Sequence, residues 1–137
     1  MKYELIDHTA DFGVHVFGAD AQTLFVNAAE ALFEALTDTD RLSPTERLTV
    51  RVSGDDWPDL MVNWMRELLY LWTGRELLGK TVEINALSEF DLAAEVTAAP
   101  YDPDVHEIKT DIKAATYHQI TARPTPHGWE SKIIFDV

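Results

Sequence analysis

The chain has 137 residues, 46% of them apolar, which suits one domain with its own core and leaves no room for a second. Cysteine is absent, so thiol catalysis, zinc–thiolate sites and a disulfide framework are excluded. Against 24 acidic residues stand 11 basic ones, a net charge of -13; such a surface repels phosphate backbones and offers no Lys/Arg cluster for counterion release, so direct nucleic-acid binding is not expected.

In chain order, Tyr3 to Asp7 reads as a short strand that runs into the loop His8-Thr9-Ala10-Asp11-Phe12-Gly13, and Val14 to Gly18 as a second strand. Asp20 is a good N-cap for a helix in which Phe25, Ala28, Ala29, Leu32, Phe33 and Leu36 recur at helical spacing. Asp38-Thr39-Asp40 and Pro44 end it. Leu48 to Ser53 alternates with period two, as a half-buried strand does. Asp56 caps a second helix, with Pro58 in its first turn and Gly74 placed as a C-terminal glycine. Its stripe of Trp57, Met61, Trp64, Met65, Leu68, Leu69 and Trp72 reads as core.

The remainder predicts strands near Thr81–Leu87, Phe90–Ala99, Ile108–Lys113, Gln119–Arg123 and Trp129–Asp136, the last two joined by Pro126-His127-Gly128 as a hairpin. The order β-β-α-β-α followed by about five strands predicts a single α+β domain spanning 1–137, a two-layer arrangement with two helices on one face of a mixed, mostly antiparallel sheet. No apolar run is long enough to cross a bilayer and Met1-Lys2-Tyr3-Glu4 is not a signal peptide, so a cytoplasmic, membrane-free protein is expected.

Few constellations carry chemistry. There is no Gly-rich phosphate loop, no Gly-x-Ser-x-Gly elbow and no His-Glu-x-x-His. Two features remain. Asp11 followed by Gly13 is either an Asx-turn closing a strand connection or a source of ligand oxygens, and His8 either a hydrogen-bonded structural residue or a ligand. At the other end, Asp136 and Val137 close the last predicted strand, which puts a free carboxylate beside Asp136. If the first loop folds next to it, Asp11, Asp136 and the Val137 carboxylate converge. Two bare carboxylates about 4 Å apart repel by roughly 4 kcal/mol at an effective dielectric of 20, so such a cluster takes up a proton, separates or binds a cation. Oxygen-only ligands select a hard ion.

These same residues carry a resemblance. His8-Thr9-Ala10-Asp11-Phe12-Gly13 resembles the opening motif His-Thr-Ala-Asp-x-Gly of the archease family, Lys113-Ala114-Ala115-Thr116-Tyr117-His118 its Lys-Ala-x-Thr-Tyr-His segment, and Phe135-Asp136-Val137 its ending in Asp plus one aliphatic residue. The resemblance implies an accessory protein, not an enzyme: a partner of the GTP-dependent RtcB-type RNA ligase that promotes its guanylylation and multiple turnover in tRNA splicing and RNA repair. It also implies a divalent-metal site on Asp11, Asp136 and Val137, with Ca²⁺ expected and Mg²⁺ or Mn²⁺ as alternatives. His8, Lys113, Tyr117 and His118 are candidates for supporting that site or touching the partner; for Tyr117 and His118 a hydrogen-bonded strand end is the alternative. Two other functions fit the same residues: a chaperone-like modulator of a tRNA methyltransferase, and a small metal-dependent hydrolase, the latter without an evident general base.

Overall fold

The computed structural model describes residues 1–7 and 11–137, and its elements follow the expected order. They are β1 (Tyr3–Asp7), β2 (Asp11–Gly18), α1 (Ala21–Leu36), β3 (Glu46–Ser53), α2 (Trp57–Arg75), β4 (Leu77–Leu87), β5 (Asp91–Pro100), β6 (Ala114–Ala115), β7 (Thr121–Thr125) and β8 (Gly128–Asp136). A short 3-10 turn, Thr39–Arg41, follows α1. The α+β class holds, but the strands divide between two sheets. One has the order β1-β2-β8-β6, with β7 sharing the β6 edge of β8; the other has the order β3-β5-β4. Every pairing among the described residues is antiparallel.

Both helices start where their caps dictate. The Asp20 carboxylate accepts from the Thr23 N–H at 2.7 Å, and the Asp56 carboxylate accepts from the Asp59 N–H at 2.9 Å. The stripe of α1 is buried from Leu24 to Leu36, and α2 buries Leu60, Met61, Trp64, Met65, Leu68 and Leu69. The two helices are tied by the Trp64 indole N–H, which donates to the Phe25 carbonyl at 3.0 Å inside the core. Gly79 on β4 lies directly under the Phe33 ring, where a Cβ would meet a ring carbon at 2.3 Å. No helix among the described residues is long and apolar enough to cross a membrane.

Two local expectations change. α2 runs through Gly74 and stops at Glu76, whose left-handed φ of 51° supplies the terminating turn that glycine usually supplies. Gly74 instead makes room for the Tyr70 ring one turn back, which a Cβ would meet at 2.2 Å. The segment 108–113 is not a strand. Ile108 forms one bridge to Thr37, the Lys109 N–H donates to the Leu36 carbonyl, and Ile112 is buried. Its apolar residues are four apart, so no continuous period-two face exists to lay on a sheet.

Candidate functional site

β2 and β8 pair with Asp11 opposite Asp136, Phe12 opposite Phe135 and Gly13 opposite Ile134. Side chains alternate along each strand. Val14, Val16, Ile133 and Phe135 therefore enter the core, while Asp11, Gly13, His15, Lys132, Ile134 and Asp136 lie on the opposite face, where Ile134 is itself covered and only 3% exposed. Asp11 and Asp136 are thus direct cross-strand neighbours on one face, a relation that typically sets Cβ atoms about 4.5–5.5 Å apart. Asp11 belongs to a strand, so an Asx-turn is not its role.

The other edge of β8 is held by the second motif. Ala114 is the register partner of Asp136, and the Lys113 N–H donates to the Asp136 carbonyl at 2.8 Å. The Thr116 N–H and hydroxyl both donate to the Ile134 carbonyl, at 3.0 and 2.9 Å. The two motifs are therefore clamped on opposite sides of the same three residues of β8, and Lys113 begins one residue from the acidic pair. Gly13 completes the arrangement. A Cβ there would sit 3.0 Å from Ile134 Cδ1 and 3.2 Å from Ile6 Cβ, so these isoleucines occupy the space a larger residue at this position would need.

Farther along the same face, acids and bases alternate. His15 Nε2 lies 3.1 Å from Glu130, and Nδ1 lies 3.5 Å from Glu4. The Arg123 guanidinium donates to Glu130 at 3.0 Å; this contact first, and His15 second, hold the Glu130 carboxyl below its usual range. At the Asp11 end two acids stand opposite each other in the register. Like charges directly opposite on a sheet are destabilising, and a cation reverses the sign.

The donor set there fits a hard, oxygen-ligated ion. Among the described residues no three His, Cys, Asp or Glu side chains gather as a metal-binding group. A cation there would be held by the carboxylates of Asp11 and Asp136, with Val137 next in the chain. Asp136 and Val137 are exposed, the latter 46% so, which leaves the outward side of the pair open.

Tyr117 follows the clamp but turns away toward α2. The Tyr117 hydroxyl donates to Asp59 at 2.7 Å, and the Arg66 guanidinium lies 4.6 Å above the ring. Arg66 in turn donates to the Ala115 carbonyl at 3.2 Å. The hydrogen bond to Asp59 raises the Tyr117 pKa; the bond from Tyr117, then the Asp55 N–H, lowers that of Asp59. Tyr117 thus pins the second motif to the first turn of α2. The His118 N–H donates to the Thr116 hydroxyl at 3.2 Å. His8 lies outside the described residues. Asp59 and Arg66 were not legible as partners of this segment, although Asp56-Trp57-Pro58-Asp59 has the spacing of a capping box, the one signal that marks Asp59 as more than a solvated acid.

Comparison with known proteins agrees with this frame. The model of the Archease protein family (MTH1598/TM1083) matches residues 3–137. The chain is 31% identical to the protein archease of Methanosarcina mazei, over 99% of this chain and 96% of the relative. It is 36% identical to that of Sulfurisphaera tokodaii, over 87% and 86%. The solution structure of protein 1598 from Methanobacterium thermoautotrophicum superposes with a TM-score of 0.83 at 28% identity, covering 99% of each chain. A crystal structure of "an archease, possible chaperone" from Thermotoga maritima has the same fold, with a TM-score of 0.70 at 20% identity over 98% and 96%.

Proposed function

Because this chain belongs to the archease family, we propose that it is an accessory protein that activates a GTP-dependent RNA ligase of the RtcB type, promoting guanylylation and repeated turnover in tRNA splicing and RNA repair. The observation that carries the reading is the pairing of Asp11 with Asp136 at an open strand end, with Lys113 fastened to the Asp136 carbonyl. All three motif segments of the resemblance meet at that point. Asp11, Asp136 and the Val137 carboxylate are the residues that would hold a divalent cation, Ca²⁺ by preference and Mg²⁺ or Mn²⁺ as alternatives. When bound, such an ion supplies positive charge that can bridge carboxylate and phosphate oxygens.

The chain's own residues do the rest. β2 and the Lys113–Thr116 clamp fix the β8 backbone from both sides, which lowers the main-chain ordering needed at the moment of contact. The net charge of -13 steers the protein toward a basic partner and away from free RNA. An activator of this kind accelerates a step only by binding the partner's activation transition state better than its resting state.

The test is multiple-turnover ligation by substoichiometric ligase, with and without the protein. Asp11→Ala and Asp136→Ala, folded by circular dichroism, are expected to lose stimulation of guanylylation. Full stimulation by both folded variants would move the active surface elsewhere. The family resemblance also carries a second reading, a chaperone-like modulator of a tRNA methyltransferase; the Thermotoga maritima structure is described only as a possible chaperone. A pull-down separates the two: the captured enzyme is then a methyltransferase and not a ligase.

A further inference from the structure

β1 is the terminal strand of its sheet, and the Phe17 N–H donates to the Lys2 carbonyl at 2.7 Å. Lys2 and Phe17 continue the register in which Tyr3 opposes Val16 and Glu4 opposes His15. In an antiparallel pair, hydrogen-bonded and non-hydrogen-bonded positions alternate. Lys2, Glu4 and Ile6 therefore bond to β2, while the N–H and C=O groups of Tyr3 and Leu5 point outward. No strand of the described residues pairs with that outer edge.

Tyr3 and Leu5 share the helix-facing side of β1, yet Leu5 is 64% exposed. It lines a cavity of about 340 Å³ whose apolar floor continues through Phe12, Ala31 and Ala35. The rim carries Glu34, Asp38 and Asp40 at the C-terminal end of α1, the negative pole of that helix, against the single ammonium of Lys109. The Tyr3 hydroxyl donates to Glu34 and holds β1 beside this rim. Burial, and then that bond, push the Tyr3 hydroxyl up to about 12.

We propose that the β1 edge and its acid-rimmed cavity receive an extended segment of a partner protein in which one apolar residue has basic residues two positions to either side of it. The segment's backbone bonds to the outward groups of Tyr3 and Leu5 as an added strand, the apolar side chain enters the cavity, and the Lys or Arg two residues away, on the same helix-facing side of that strand, meet Glu34, Asp38 and Asp40. An uncovered edge beside an apolar cavity is a template for another strand, and the rim decides which. A second copy of this chain is disfavoured, since each copy brings a net charge of -13 and the same acidic rim. The proposal goes beyond the ligase reading and does not depend on it.

The probe is a short synthetic peptide with a central leucine, arginine two positions to either side and threonine between, with glutamate replacing arginine as control, titrated into the full chain and followed by NMR. The arginine peptide is expected to shift the Tyr3 and Leu5 amides and to slow their hydrogen exchange, leaving Glu4 and Ile6 already protected. Asp38→Asn with Asp40→Asn should weaken binding about tenfold and flatten its salt dependence. Leu5→Pro removes an outward donor without touching the β2 ladder and should abolish binding. Should that variant not fold, the aspartate pair still decides. Shifts that map elsewhere, equal binding of the glutamate peptide, or self-association of the free protein through β1 in sedimentation would each overturn the proposal.

Discussion

Asp11 stands directly opposite Asp136 across the β2–β8 ladder, so two carboxylates occupy neighbouring positions on one exposed face. The consequence for stability has a definite sign. Saturating Ca²⁺ or Mg²⁺ should raise the melting temperature; at a hundredfold excess over Kd the gain is about 2.7 kcal/mol, or roughly 5–10 °C for a domain of this size. Asp136→Asn should abolish that rise and, in chelator, melt no lower than the native chain, since it removes one of two facing charges. Differential scanning fluorimetry in both buffers checks it. A native chain that melts identically in saturating metal and in chelator refutes it.

Gly13 leaves the space into which Ile134 and Ile6 both close. Gly13→Ala pushes a methyl group against Ile134 Cδ1 at 3.0 Å, and the expected loss is about 1–2 kcal/mol. Adding Ile134→Val removes the atom in the way and should recover part of the loss, a coupling read from a double-mutant cycle in urea.

Gly79 is tighter still, because a Cβ there would meet the Phe33 ring at 2.3 Å and that ring is only 2% exposed. Gly79→Ala should cost about 3 kcal/mol and lower the melting temperature by roughly 10 °C. Phe33→Leu in the same chain should restore some of it. A melting temperature within about a degree of the native one would show that the ring gives way freely.

The Tyr117–Asp59 bond predicts a pH signature. Asp59 is depressed in the fold, so its contribution is present above the unfolded carboxylate value, about pH 4, and is lost as pH falls through the folded value. Tyr117 is raised, so its contribution is complete below about pH 10 and is lost as pH rises through its folded value. Between those limits Tyr117→Phe should cost about 0.5–1 kcal/mol, a small figure because solvent screens so exposed a pair. At either extreme the two proteins should converge in urea unfolding. A constant difference from pH 3 to 11 would assign the loss to packing.

The helices were legible because their signals are local. Asp20 and Asp56 cap where they stand, and the stripes from Phe25 to Leu36 and from Met61 to Leu69 face inward as their spacing requires. The strand ends were less so. Asp11 could be read as a turn residue because only the β8 register, a long-range fact, makes it a strand residue facing Asp136. The stretch 108–113 misled for a related reason: its isoleucines are anchored singly, by a bridge at Thr37 and by burial of Ile112, and neither anchor has a period. Glu76 ended α2 without the glycine that normally announces such a stop. The role of Tyr117 was hidden because its partner, Asp59, sits on another element far away in sequence.

β8 lies in the interior of its sheet, with β2 on one side and β6 and β7 on the other, yet it is the latest strand in sequence. During synthesis the β1–β2 hairpin and both helices emerge well before the strand that joins them, and β2 must wait for a partner nearly a whole chain length away. Pairings so distant in sequence slow folding and keep β2 open to wrong partners in the interval. The facing aspartates therefore come together only once β8 is present, and a nascent or truncated chain lacking β8 carries the first motif without the strand that places Asp136 opposite it.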